Sequence, residues 1–447
     1  MPAMDNEFPG LRAMLRGLSD APAWYVGYSG GLDSTVLLHL LHDWSLHHAA
    51  PPLRAVHVNH GMQSSADTWA VHCADNCAAL AVPLVTRTVS VTGGEAGARA
   101  ARYAEFESCL GEGAILFLAH HLDDQVETFF LRLMRGAGVA GLAGIPERRA
   151  LGVGMLARPL LDTPRVVLER YARRQRLSFV DDPSNADTGI DRNFLRTEVL
   201  PRLASRWPGY RQAVARAGAH MASADAMLRD ALGVPPSVYS VTGDPGCSLE
   251  ALVVRDSEAA AQRLRHWLRL QDCKAPDSAS LREFVRQLAA ASADAAPRLD
   301  AGSYVLQRYR GAVYRLPPQH DAAPAGSRSL PVGQRLHVAG VGQIALVPAA
   351  SQGLALQAAD TPHVTWRLGG ERVHPARRGT SLTLKALLQE RRVPPWWRDR
   401  VPLLYLGEEL LAVGDLALCD SSRYRAAAAT GETLWRLQWE RFPGACD

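Results

Sequence analysis

Over the first 205 or so residues, short apolar segments alternate with segments of helical periodicity, and few folds accommodate that rhythm. Apolar runs at 23–28 (AWYVGY), 53–58 (LRAVHV), 83–91 (PLVTRTVSV) and 114–119 (AILFLA) are bounded by Gly, Pro, Asn or His. Helical patterns occupy 34–46, 65–81 and 95–110 between them. Strands and helices of these lengths in alternation predict an α/β domain built on a doubly wound parallel sheet. Such sheets bind ligands outside the C-terminal ends of their strands. Two of those ends, after residues 28 and 119, carry the most polar glycine- and carboxylate-rich turns of the chain.

Beyond this region the texture changes. Alanine- and arginine-rich helical stretches run from about 206 to 320, and a short Pro/Gly/Ser linker, DAAPAGSRSLP, leads into strand-like alternation. The expected organisation is therefore an α/β domain at 1–205, a helical domain at 206–325 and a small β-rich domain at 326–447. No stretch approaches the roughly 18–20 consecutive apolar residues that span a bilayer, and the N-terminus lacks a basic segment followed by a hydrophobic one. A cytoplasmic location without membrane partners is expected.

Seven cysteines are scattered without a C-x-x-C pair, which argues against a zinc ribbon, a redox pair or a Cys-ligated cluster. Cys73 and Cys77 extend the stripe Trp69, Cys73, Cys77, Leu80 and read as buried small hydrophobes. The net charge is only +4, yet Lys274 and Lys385 are the only lysines. A Walker A site, which needs a lysine, is thereby excluded from the first 273 residues.

The loop S-G-G-L-D-S (Ser29, Gly30, Gly31, Leu32, Asp33, Ser34) lies at a strand-to-helix turn. Glycines let the backbone approach an anion, and the first amides of the helix point at it. Asp33 would repel bare phosphate, so its natural use is to hold Mg2+ bridging the phosphates of a nucleotide. A second polar turn, H120-H-L-D-D-Q-V-E-T128, follows the strand at 114–119. Asp123 or Asp124 suits the N-cap of the following helix, and Asp124 and Glu127, three apart, present two carboxylates on one face. His120 stands at the strand end. His57, in H-V-N-H-G at 57–61, would lie where an adenosine fits. Arg99 and Arg102 share a helix from which they could neutralise phosphate.

These segments together resemble the tRNA(Ile)-lysidine synthetase family of PP-loop ATPases. The resemblance runs through the SGGLDS loop, HVNHG, HHLDDQVET, R135-G-A-G-V-A-G-L-A-G-I145, R158-P-L-L161, D181-D-P-S-N185 and R192-N-F-L-R196. It resumes in L-K-A-L-L-Q-E at 384–390 and V-P-P-W at 393–396. The family resemblance implies ATP-dependent adenylation of the C2 carbonyl oxygen of the wobble cytidine in an isoleucine tRNA with a CAU anticodon. Free L-lysine then attacks C2, giving lysidine and AMP after the earlier loss of pyrophosphate. On that resemblance Ser29–Ser34, His57 and His120 would bind ATP. Asp33, Asp124, Glu127 and Arg102 would serve the chemistry, with Asp33 on Mg2+, and Arg99 and Arg192 would face RNA or pyrophosphate.

Choice of one tRNA among many needs a further surface. Segment 361–402 holds nine basic residues against three acids, with Trp366, Trp396 and Trp397 interleaved. Arg372, Arg377, Arg378, Lys385, Arg391 and Arg392 are its candidate tRNA contacts. The alternative readings are another PP-loop tRNA-modifying enzyme, such as a thiolase, and a non-catalytic ATP- and RNA-binding protein. The sequence leaves a homodimer open.

Overall fold

The computed structural model describes residues 7–59, 66–89, 94–181, 187–252, 257–292, 295–318, 324–357 and 359–441. HVNHG and DDPSN therefore lie partly outside the described residues, at 60–61 and 182–185. The chain divides into two compact units, Met1–Leu228 and Arg229–Asp447.

The first unit is built on a six-stranded sheet. Its strands are β1 (Trp24–Gly27), β2 (Leu53–Asn59), β3 (Leu84–Thr88), β4 (Ile115–Phe117), β5 (Arg148–Leu151) and β6 (Gly154–Ala157), in the order β3-β2-β1-β4-β6-β5. The four expected strands pair in parallel, β3 with β2, β2 with β1 and β1 with β4. The β5–β6 hairpin at the far edge was not anticipated, because its two short strands carry too few apolar residues to stand out.

Helices α1 (Pro9–Arg16), α2 (Leu32–His47), α3 (Ala66–Ala79), α4 (Gly94–Cys109), α5 (Leu122–Met134) and α6 (Arg165–Arg174) surround the sheet. The strand period of two separates its faces. Trp24, Val26 and Tyr28 join α2 and α6 residues such as Leu37 and Leu168 in one core. Tyr25 faces the other way, with Val56, Phe106 and Leu116. Tyr210, at the start of the helix Tyr210–Leu232, packs with Val126 and Leu200, which carries the unit past residue 205.

The second unit has two large hydrophobic cores. The first joins the helices Ser257–Leu270 and Ser278–Ala290 to a five-stranded antiparallel sheet within 237–316. The helices follow the expectation. The sheet does not, since strands of three to five residues broken by Gly and Pro give little periodic signal. The second core, within 330–439, is β-rich as expected, with two five-stranded sheets and the helix Leu384–Glu390. Trp366 and Trp397 are buried in it at 3% exposure each. The expected aromatic RNA platform is corrected accordingly, because indoles spaced among basic residues here fill a core.

Trp24 is fully buried, donates its indole N–H to the Leu18 carbonyl at 3.0 Å and meets Phe117 edge-on. Trp24→Ala is expected to destabilise the first unit by about 3–5 kcal/mol, read from urea unfolding. A loss below about 1 kcal/mol would remove this residue from the core's foundations.

Candidate active site

β1 and β4 are neighbours, paired Trp24 to Ile115 through Val26 to Phe117, so the loops that follow them open side by side. After β1 the chain turns on Gly30, whose φ is +82° and whose missing Cβ would lie 2.9 Å from the Cys73 sulfur. Both facts demand glycine. The turn is held from inside. Ser34 Oγ accepts the Ser29 amide at 3.2 Å, lies 3.0 Å from Ser29 Oγ and donates to the Gly31 carbonyl at 3.1 Å. Thr35 Oγ1 donates to the same carbonyl at 2.9 Å, and the Val180 amide closes on the Gly30 carbonyl at 2.9 Å. Gly31 then caps α2, leaving the helix N-terminus without a side-chain cap. Free amides at a helix start form an anion cradle.

The second loop delivers the acids. The N-cap of α5 is His121, not Asp123 or Asp124 as expected, because Asp124 reciprocates from the third helical position. His121 Nδ1 accepts the Asp124 amide at 3.4 Å and Asp124 Oδ2 accepts the His121 amide at 3.0 Å. This leaves His121 Nε2 aimed at two carboxylates, Asp33 Oδ2 and Asp124 Oδ2, each at 3.6 Å. Burial works to strip a proton from this ring, but Asp33, Asp124 and Asp123 outweigh it and hold the pKa above the ordinary value. His121 thus ties the acid of one loop to the acid of the other.

His120 behaves oppositely. Burial pushes it down to about 4, aided by the Arg158 and Arg99 charges and only partly opposed by Asp124. Its Nδ1 accepts from Arg158 Nε at 3.3 Å, so the neutral ring is an acceptor. Asp124 is held below the ordinary carboxylate range, since His121, His120 and the His121 amide overcome its burial.

Glu127 is fully buried and gripped by a two-pronged Arg196 fork, Nε to Oε1 at 2.7 Å and Nη2 to Oε2 at 3.0 Å. Arg192 Nε adds a contact at 3.5 Å. Burial pushes the Glu127 carboxyl up, and the Arg196 fork limits the rise. Asp123 binds Arg211 and caps α6 by accepting the Arg165 amide at 2.8 Å. Arg165 in turn approaches Asp33 Oδ1 at 3.8 Å.

The structure therefore gathers Ser29–Ser34, His120, Asp124, Glu127 and Arg192 around one crevice. His57 is buried instead, with its Nδ1–H donated to the Tyr28 carbonyl at 2.9 Å and its pKa lowered mainly by burial. Arg99 and Arg102 are exposed on α4, Arg99 lying over the Tyr103 ring. Arg372, Arg377, Arg378, Lys385, Arg391 and Arg392 are all exposed in the second unit, where Arg378 pairs with Glu390. Sequence reasoning missed the roles of His121 and Arg196. The signal for Arg196 was its place four residues after Arg192, on one helical face. Cys73 and Cys77 are buried, their thiols pushed up to about 12 and about 11 by burial, which suits packing rather than sulfur chemistry.

Asp33 Oδ1 is buried without a hydrogen bond. That is the condition of a carboxylate oxygen suited to a cation. Among the described residues no three His, Cys, Asp or Glu side chains cluster to hold a metal by themselves. A site of one or two carboxylates completed by phosphate oxygens and water is the arrangement that suits Mg2+.

A lysine-free glycine turn at the switch point of a parallel sheet, faced by acids from the neighbouring strand, defines a PP-loop nucleotide-binding domain. The PP-loop domain family model matches residues 10–203, and models of the TilS substrate binding and TilS substrate C-terminal domains match 248–314 and 363–439. The chain is 42% identical over 408 residues to the tRNA(Ile)-lysidine synthase of Pseudomonas putida, covering 89% of this chain and 93% of that one. It is 41% identical over 455 residues to the Pseudomonas aeruginosa enzyme of the same name, covering 98% of each. The chain belongs to the tRNA(Ile)-lysidine synthase family. Among the described residues no helix is long and apolar enough to cross a membrane.

His120 supplies a pH test. A histidine depressed from 6.5 to about 4 keeps its contribution to stability above pH 6.5 and loses it as pH falls toward 4. The wild type is expected to lose on the order of 1–3 kcal/mol across that window relative to His120→Gln, followed by denaturant unfolding at successive pH values. Parallel curves would show that the ring is not held neutral.

Proposed function

We infer that this chain ligates lysine to C2 of the wobble cytidine of an AUA-decoding isoleucine tRNA bearing a CAU anticodon, through an adenylated tRNA. The observation that carries the reading is the pairing of an anion cradle at Ser29–Ser34, with Asp33 in it, and Asp124 and Glu127 at the adjacent strand end. ATP lies with its phosphates on the Leu32–Ser34 amides at the helix start, and the C2 carbonyl oxygen attacks the α-phosphate as pyrophosphate leaves. Mg2+ bound at Asp33 would offset charge on that leaving group. Asp33 Oδ1, which accepts no hydrogen bond among the described residues and has Arg165 Nε near it at 3.8 Å, is what supports the metal. Asp33, Asp124 and His121 line the crevice, where a cationic amine must lose a proton before it attacks.

A cavity of about 440 Å3 beside this cluster is lined by Asp123, Glu127, Glu169, Arg165, Arg196 and Arg211 among others. Mixed acids and arginines suit free lysine, which presents a carboxylate and two ammonium groups. The chain divides its labour in three parts, with catalysis near 1–205 and tRNA contact in 206–325 and 326–447. The two separate cores of the second unit favour that division.

Asp33→Ala is expected to lower tRNA-dependent pyrophosphate release by at least about 100-fold while tRNA affinity stays within about two-fold. Labelled lysine, and no other amino acid, is expected to enter the tRNA with the wild type. Normal turnover by Asp33→Ala would remove Asp33 from the chemistry, and release independent of tRNA would contradict the reaction.

A further inference from the structure

Three arginines of the second unit, Arg310, Arg377 and Arg392, stand where the backbone favours glycine, and the corners of the first and last lie together. Arg310 sits at the tip of the hairpin that joins Val305–Tyr309 to Ala312–Leu316, with φ +51°. Arg392 follows the helix Leu384–Glu390 with φ +59°. There its amide closes on the Gln389 carbonyl at 3.1 Å and that of Val393 on the Leu388 carbonyl at 2.8 Å. Glycine is the usual occupant of such a helix end. A side chain in this left-handed region is strained, and strain kept in a fold points to a use for the side chain.

The corners meet. Arg310 Nη2 lies 3.4 Å from the Gln389 carbonyl that the Arg392 amide also uses, and Tyr309 donates its hydroxyl to the Val393 carbonyl at 3.4 Å. A buried carboxylate locks the seam between them. Asp244, 2% exposed, accepts the indole N–H of Trp397 at 2.8 Å and of Trp396 at 3.1 Å. It also accepts the hydroxyls of Ser240 at 2.6 Å and Thr242 at 2.9 Å. The Trp396 ring packs against Tyr309 and Tyr314. Arg310 is thereby fixed relative to Arg391 and Arg392 although they belong to different cores. All three are exposed, and among the described residues none of them has a carboxylate partner. Arg367 and Arg378 nearby in sequence are instead paired with Asp399 and Glu390.

We propose that Arg310, Arg391 and Arg392 form one composite phosphate-binding surface for the tRNA backbone, with Asp244 as the positioning residue that keeps its halves together. Three uncompensated guanidinium groups on a fixed frame match the spread phosphates of an RNA strand. The proposal rests on the reading that tRNA is the substrate.

The test uses the full chain carrying Arg310→Gly and Arg392→Gly together. Relief of backbone strain is expected to leave Tm equal to or above that of the wild type. The Kd for the isoleucine tRNA transcript is expected to weaken about ten-fold at low salt, with the slope of log K against log salt shallower by about two. KM for tRNA should rise while kcat at saturating tRNA is unchanged. Ala81→Gly, at φ +52° in the first unit, controls for glycine without loss of charge. The double lysine variant should keep most of the salt slope. Unchanged tRNA affinity overturns the proposal, and so does a fall in Tm that accounts for the lost affinity. Trp396→Phe, which removes one bond to Asp244, should raise the tRNA KM with kcat intact, and an unchanged KM overturns the positioning role. A wild-type chain that fails to bind the tRNA overturns the substrate reading itself and this surface with it.

Discussion

The pairing of β1 with β4 is the constraint on which the catalytic unit depends. Strand order in the sheet reverses there, so the loop after β1 and the loop after β4 open to the same side with nothing between them. Had another strand intervened, Asp33 and Asp124 would be separated by roughly a further 5 Å and His121 could not face both. The hydrophobic faces of the sheet enforce the pairing. Val26 and Phe117 are fully buried in one core, and Leu116 in the other.

On that frame the charges are arranged in two groups with different duties. His121, Asp33 and Asp124 form a close set in which one carboxylate oxygen, Asp33 Oδ1, accepts no hydrogen bond and has Arg165 Nε at 3.8 Å. Glu127, Asp123 and their arginines form a set whose partners are already engaged. A buried carboxylate with a forked arginine is costly to disturb, so the second set is a rigid wall. The first set, with its unmet capacity, is where a metal or a substrate amine gains most. Two adjacent histidines illustrate how far surroundings govern chemistry. His120 is kept neutral beside Arg158, while His121 is pushed toward its charged form by three carboxylates.

The sequence revealed the parallel sheet well because continuous apolar runs bounded by Gly, Pro, Asn or His alternate with long helices. The SGGLDS turn was equally legible, since a glycine able to take the positive φ of Gly30 stands directly before a helix start. His121 as a cap was not legible, because Asp123 and Asp124 are the more usual N-cap types and compete for the position. The tryptophans at 366 and 397 misled for a related reason: interleaving with arginine looks like an RNA surface, yet both indoles turn inward, Trp366 just past a strand and Trp397 at the end of a short 3-10 turn. The antiparallel sheet at 237–316 was hidden by strands too short to carry a period. Nor could linear sequence bring Asp244 beneath Trp396 and Trp397, some 150 positions away, since nothing local marks a buried carboxylate as a partner for distant indoles.

In the proposed reaction the β1 and β4 loops together direct attack on the α-phosphate of ATP. Identifying the adenosine product tests it most directly. With full-length protein, isoleucine tRNA, lysine and Mg2+, the account requires AMP and pyrophosphate to form one for one with modified tRNA. Accumulation of ADP and inorganic phosphate in step with modification would place the attack at the γ-phosphate and contradict it.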